Sequence, residues 1–221
     1  MTGHALPALS LLETRVLGVL VEKQRTVPDT YPLTLNALVS GCNQKTSRDP
    51  VIDAAEAEVQ SAADHLKALA LVVESSGGRV MRYAHNVERV LHLPSQSVAL
   101  LAVLFNRGPQ TAGELRIATE RLHKFTDISA VEAFLAELAE RPAGALVREL
   151  PRAPGARETR WAHLLSGEPV VPAGAEAHGA PVAESLTVGE IATLKANVDH
   201  LQGEVALLKE TVARIAKELG L

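Results

Sequence analysis

"GRVMRYAH" occupies residues 78–85 and "ARETRWAH" occupies residues 156–163. Both end on an aromatic residue followed by Ala-His, which raises the question of whether one structural unit is written twice. Sliding the chain against itself answers it. "VLGVLV" (Val16 to Val21) matches "LLAVLF" (Leu100 to Phe105), and "TLNAL" (Thr34 to Leu38) matches "TAGEL" (Thr111 to Leu115). Val59 and Leu66 match Val131 and Leu138, and "LVVESSGGRVMRYAH" matches "ALVRELPRAPGARETRWAH".

Each block predicts an element. Leu12, Val16, Val19 and Leu20 keep apolar residues on one face at helical spacing, so the first block of each copy is a core-facing helix. Thr111 with Glu114 three residues on is a capping box that opens the second helix, and Pro32 and Pro109 stop any earlier helix from running through. Asp53 with Glu56, and Ser129 with Glu132, are read as the openings of the third helices. A turn-linked pair of strands follows, with Tyr83 and Trp161 on the return strands facing the helical core and Ala84 and Ala162 on the opposite face. Three helices and a hairpin within about 75 residues is the order of a winged helix-turn-helix. The expected fold is therefore mainly α with small β-hairpin wings. It comprises two tandem winged helix-turn-helix domains, over residues 1–90 and 91–166.

Composition agrees with a helical core. The chain has 221 residues, 47% hydrophobic but only 3% aromatic, so its interior has to be aliphatic. No apolar run approaches the roughly 20 residues a bilayer span needs, and no secretory signal opens the chain, which predicts a cytoplasmic protein without membrane contact. Cys42 is the single cysteine and can form no internal disulfide. The net charge of −4 belongs to the end of the chain, because Lys plus Arg balance Asp plus Glu through Leu165. A broad basic surface for nucleic acid is thus not expected.

The copies differ in places the fold does not require. Copy one carries extra residues within "EKQRTVPDTYPLT" and within "SGCNQKTSRDPVID", whereas copy two has the longer wing, "RELPRAPGARETR". Asn43, Gln44, Lys45, Thr46, Ser47 and Arg48 are six consecutive hydrogen-bonding side chains ahead of the third helix, suited either to phosphate contacts or to a solvated turn. In the second wing, Arg148, Arg152, Arg157 and Arg160 outnumber Glu149 and Glu158, as a phosphate-facing hairpin would require. The third helices argue the other way: Asp53, Glu56, Glu58 and Asp64 stand against Lys67, and Glu132, Glu137 and Glu140 against Arg141. Acidic side chains are repelled by the phosphates lining a major groove.

The segments "EKQ", "YPLTLNALVSGCNQKTSRDPV", "RGPQTAGELR" and "LPRAPGARETRWAHLL" resemble the YceH family of uncharacterised bacterial proteins. The resemblance covers roughly residues 10–168 and implies a tandem pair of winged-helix domains, with no implied activity.

Beyond Gly167 the composition turns to Pro, Gly and Ala, read as a flexible linker over 167–185. A C-terminal coiled-coil helix is expected over 186–221. Ile191, Leu194, Val198, Leu201, Val205, Leu208, Val212, Ile215 and Leu219 follow alternating three- and four-residue steps, a heptad seam. Mostly β-branched a positions with mostly Leu at d favour a parallel two-stranded coil, hence a homodimer. The expected function is non-enzymatic: a dimeric DNA-binding, chromosome-associated or regulatory factor, or alternatively a protein-interaction scaffold that touches no nucleic acid. The eight histidines show no metal-binding spacing, and no nucleophile–base set or phosphate-binding Gly loop is visible. Catalytic residues, metal ligands and cofactors are accordingly not expected.

Overall fold

A computed structural model of the chain describes residues 6–76, 80–153 and 155–169. Helix α1 (Leu11–Thr26) is followed by a 3-10 turn (Pro28–Thr30), β1 (Leu33–Thr34), α2 (Leu35–Cys42), α3 (Glu56–Ala68), β2 (Val72–Ser76) and β3 (Met81–His85). A short α4 (Val87–Leu91) leads into α5 (Ser95–Arg107), α6 (Ala112–Ala118), α7 (Ile128–Ala139), β4 (Val147–Glu149) and β5 (Trp161–His163). The result is a mixed helical fold with two small antiparallel sheets, in the orders β1-β3-β2 and β4-β5, compatible with winged helices. The boundary expected at residue 90 falls within α4. The described residues all belong to one compact unit. The heptad seam and most of the expected linker lie outside the described residues.

Side-chain caps open α1, α2, α6 and α7, and the starts of α3 and α7 correct the expected positions. Ser10 opens α1 by accepting from the Glu13 amide, while the Glu13 carboxylate accepts from the Ser10 amide. Thr111 and Glu114 form the expected reciprocal box at α6. Helix α3, however, starts at Glu56 rather than at an Asp53 cap. The Asn43 carboxamide donates to the Ala54 carbonyl and accepts from its amide, both at 2.9 Å, which keeps residue 54 outside the helix. The helix therefore opens only at Ala55, whose amide donates to Glu58. In α7 the cap is Asp127, which accepts from the Ala130 amide at 2.8 Å, and Ser129 falls inside the first turn. A carboxylate both accepts this bond and offsets the positive helix N-terminus, so it prevails over the hydroxyl nearby.

The two hairpins share a register. Val72 pairs with His85 as Val147 pairs with His163, and Glu74 pairs with Tyr83 as Glu149 pairs with Trp161. The third strand position also recurs: Leu33 lies opposite Tyr83, and Gln110 bridges to Trp161. Tyr83 is buried and its hydroxyl donates to Gln60, while Trp161 is half-buried at the edge of the core. Ala84 is half-buried and Ala162 buried, so the face opposite Trp161 is covered rather than open to solvent.

Helices α1 and α5 are more buried than one apolar face requires. Residues 13–21 of α1 and 97–106 of α5 are buried without a break, because each packs on its own half and on the other helix. Small residues permit this. A Cβ on Gly18 would sit 2.7 Å from Asn106 Oδ1 and 3.0 Å from Phe105 Cβ, and a Cβ on Gly41 of α2 would sit 2.5 Å from Val19 Cγ1. One continuous aliphatic core results, from Leu9 in the first half to Leu165 in the second.

Candidate nucleic-acid interface

The loop at 43–48 is turned inward at Arg48 and, in part, at Asn43 and Gln44, while residues 45–47 are exposed. Asn43 is committed to Ala54, and the Gln44 amide donates to the Thr46 carbonyl while its oxygen accepts from Lys23 Nζ. Arg48 presents no surface to a partner, since its side chain is 0% exposed. Its guanidinium donates to Glu22 Oε2 at 2.8 Å and Oε1 at 3.3 Å, to the Gly41 carbonyl and to the Ser47 carbonyl. Ser47, in a left-handed conformation at φ 59°, accepts on its hydroxyl from Arg107 at 2.8 Å. Lys45, Thr46 and Ser47 are the exposed residues of the loop, and Thr46 Oγ1 accepts from Gln44 Nε2 at 3.2 Å.

This inward turn is anchored by two arginines. Arg15, fully buried in α1, donates to the Cys42 carbonyl at 3.3 Å and the Pro50 carbonyl at 2.8 Å, bracketing the loop. Burial and the neighbouring Arg48 both lower the Arg15 pKa. Beside them Glu22 is largely desolvated, which opposes its charge. The Arg48 and Lys23 hydrogen bonds and charges outweigh that cost and hold its pKa below the ordinary carboxylate value. The loop reaches the second half as well: the Asp49 amide donates to the Asn106 carbonyl at 2.8 Å, and Asn106 donates to Glu22. A buried ion pair of this kind fixes geometry more than it adds stability.

The second wing is differently placed. Arg148 is paired with Glu168, and Arg160 lies 3.6 Å from Glu114 and donates to the Pro109 carbonyl. Arg152 and Arg157 are exposed and make no hydrogen bond or ion pair among the described residues. The acidic residues of the third helices are also exposed, including Glu56, Glu58, Asp64, Glu132, Glu137 and Glu140. Sequence reasoning passed over a second exposed basic group, Arg116, Arg121 and Lys124, on α6 and the turn after it. The signal was present as cations in "ELRIATERLHK", masked there by Glu114 and Glu120.

His85 and His163, which end the twin motifs, are not ligands in a cluster. Among the described residues no group of three or more His, Cys, Asp or Glu is placed to hold a metal. Burial pushes His85 down to about 4, assisted by Arg25, and burial alone does the same to His163. His85 Nε2 lies 2.8 Å from Gln24 Oε1, and the His163 ring meets Phe105 edge-on at 5.0 Å. Both Nδ1 atoms are buried without a partner. No helix among the described residues is long and apolar enough to cross a membrane.

Comparison with known proteins gives a family without an assigned chemistry. A family model described as "Protein of unknown function, DUF480" matches residues 9–156. A UPF0502 protein of Dechloromonas aromatica is 59% identical over 216 residues, covering 98% of this chain and 100% of its own. A UPF0502 protein of Burkholderia orbicola is 57% identical, covering 100% of this chain and 93% of its own, and one of Methylibium petroleiphilum is 58% identical over 98% and 92%. The chain therefore belongs to the UPF0502 family, the YceH-type bacterial family that its repeated motifs resemble.

Proposed function

We propose that the protein is a non-enzymatic binding module built from two winged helix-turn-helix units, and that it contacts duplex DNA through the wing of its second half. The observation that carries this reading is the exposure of Arg152 and Arg157 without intramolecular partners. A cation paired within its own fold has little to offer a phosphate, whereas these two are available to one. Lys45, Thr46 and Ser47, the exposed residues of the inserted loop, are placed to join the contact. The acidic third helices disfavour insertion into the major groove, so the contact is one of wing and backbone. The heptad seam from Ile191 to Leu219 would bring two such modules together as a homodimer.

Fluorescence anisotropy with a labelled duplex tests this. The expected affinity falls steeply as salt rises, and Arg152→Ala with Arg157→Ala lowers both the affinity and the salt slope, by about one counterion per lost contact. Absence of binding at low salt would leave the second reading, a protein-interaction scaffold, which the exposed acidic helices favour. Truncation after Ala183 is expected to convert a dimer to a monomer by light scattering; an unchanged mass would remove the coiled coil from the proposal.

A further inference from the structure

A cleft of about 350 Å³ lies where α1, the inserted loop, α5 and α6 converge. Its polar wall carries three cations, Lys23, Arg107 and Arg121, and its apolar wall is formed by Val27, Val103, Leu122 and neighbouring alanines. Glu22 is the one carboxylate on the lining, and its charge is already met by Arg48 and Lys23. An anion entering the cleft thus meets uncompensated positive charge. Arg121 is exposed and makes no hydrogen bond or ion pair among the described residues, and Arg107 spends one nitrogen on the Ser47 hydroxyl. The volume falls in the range of small-molecule sites, which combine an apolar lining with a few convergent polar groups.

We infer that this cleft binds a small amphipathic anion, a phosphate or carboxylate carried on a compact apolar body, with Arg107 and Arg121 on the anion and Val27, Val103 and Leu122 against the apolar part. Both halves and the inserted loop contribute to the lining, so an occupant is held by the same residues that fix one half against the other. The inference is independent of DNA binding: the ligand site is lined by neither Arg152 nor Arg157.

Isothermal titration of the full-length protein at constant ionic strength tests it, with phenyl phosphate as the amphipathic anion, inorganic phosphate as the anion alone and benzyl alcohol as the apolar group alone. Phenyl phosphate is expected to bind with one-to-one stoichiometry and at least about tenfold more tightly than either control. Arg121→Gln, which removes no internal bond, is expected to weaken it about tenfold or more, the worth of one charge-assisted hydrogen bond. Val27→Asn is expected to reduce the advantage of phenyl phosphate over phosphate. Equal binding of phenyl phosphate and phosphate, equal binding of phenyl phosphate and benzyl alcohol, or binding unaltered by Arg121→Gln would each overturn the site. Loss of DNA binding in the Arg152 and Arg157 variant with phenyl phosphate binding retained would separate this site from the wing.

Discussion

Asn106 donates its carboxamide to the carboxylate of Glu22 at 3.4 Å, and these two residues hold the same place in the two copies of the repeat. Each immediately follows the matched apolar run, Val16 to Val21 in one and Leu100 to Phe105 in the other. Helices α1 and α5 pack directly against each other, and the inserted loop at 43–50 joins them from one side through the Asp49 amide on the Asn106 carbonyl.

Gly18 sets how closely that seam closes. Gly18→Ala places a methyl group against Asn106 and Phe105, at distances where one helix has to shift. Overpacking of this kind costs about 1–3 kcal/mol, against which Ala returns somewhat less than 1 kcal/mol of helix propensity. The expected outcome is a lower urea midpoint with an unchanged slope; an equal or higher midpoint would show that the helices are not in tight contact there.

Glu22 and Arg48 are expected to be strongly coupled. Loss of Glu22 strands the fully buried Arg48 at a cost of about 3 kcal/mol, whereas loss of Arg48 leaves Glu22 its second cation, Lys23 at 2.8 Å, and costs less. Glu22→Gln should destabilise by roughly that amount and Arg48→Met by less, with the double variant destabilised by clearly less than their sum. Additive losses in the denaturation cycle would mean that the pair does not act as a unit.

His85 and His163 predict acid sensitivity with a defined sign. Both rings are held neutral in the fold, down to a pKa of about 4, while in the unfolded chain they titrate near 6.5. Above the unfolded value both states are neutral and pH has no leverage through these groups. As pH falls from about 6.5 toward 4 the unfolded chain takes up protons that the native state refuses, and stability declines across that window. Glu22, whose folded pKa is depressed, adds its own loss only at lower pH, as its carboxylate is protonated. Denaturation midpoints at pH 7.5 and 5.0 should differ, and His163→Asn should narrow the difference.

Cys42 should be inert in the native protein. It is fully buried and its thiol is pushed up to about 12 by burial, against smaller opposing effects of Arg15 and Arg48. A thiol without thiolate or access does not react. Labelling by a disulfide reagent is expected only at the rate of unfolding, and fast stoichiometric labelling under native conditions would show that the α2 end opens.

The elements were legible in the sequence because hydrophobic spacing, caps and the strand ending are local. The runs at Val16–Val21 and Leu100–Phe105 announced helices, Thr111 with Glu114 announced a start, and Tyr83 and Trp161 took equivalent register positions. Local chemistry also named the odd features, the inserted loop and the arginine-bearing wing. Tertiary structure alone decided what those features do. Six polar residues in a row read the same whether they face water or a buried carboxylate, and nothing near Arg48 in the chain reveals that Glu22, 26 positions away, neutralises it. The same holds for the third helix of the first half: Asp53 is a good cap by sequence, but a contact from Asn43 across 11 positions keeps Ala54 out of the helix and moves the start to Glu56. Burial and pairing depend on partners brought together by packing, whereas periodicity and capping depend on neighbours in the chain, which is why the sequence determined the elements and only the fold determined which charged residues remain free to meet a ligand.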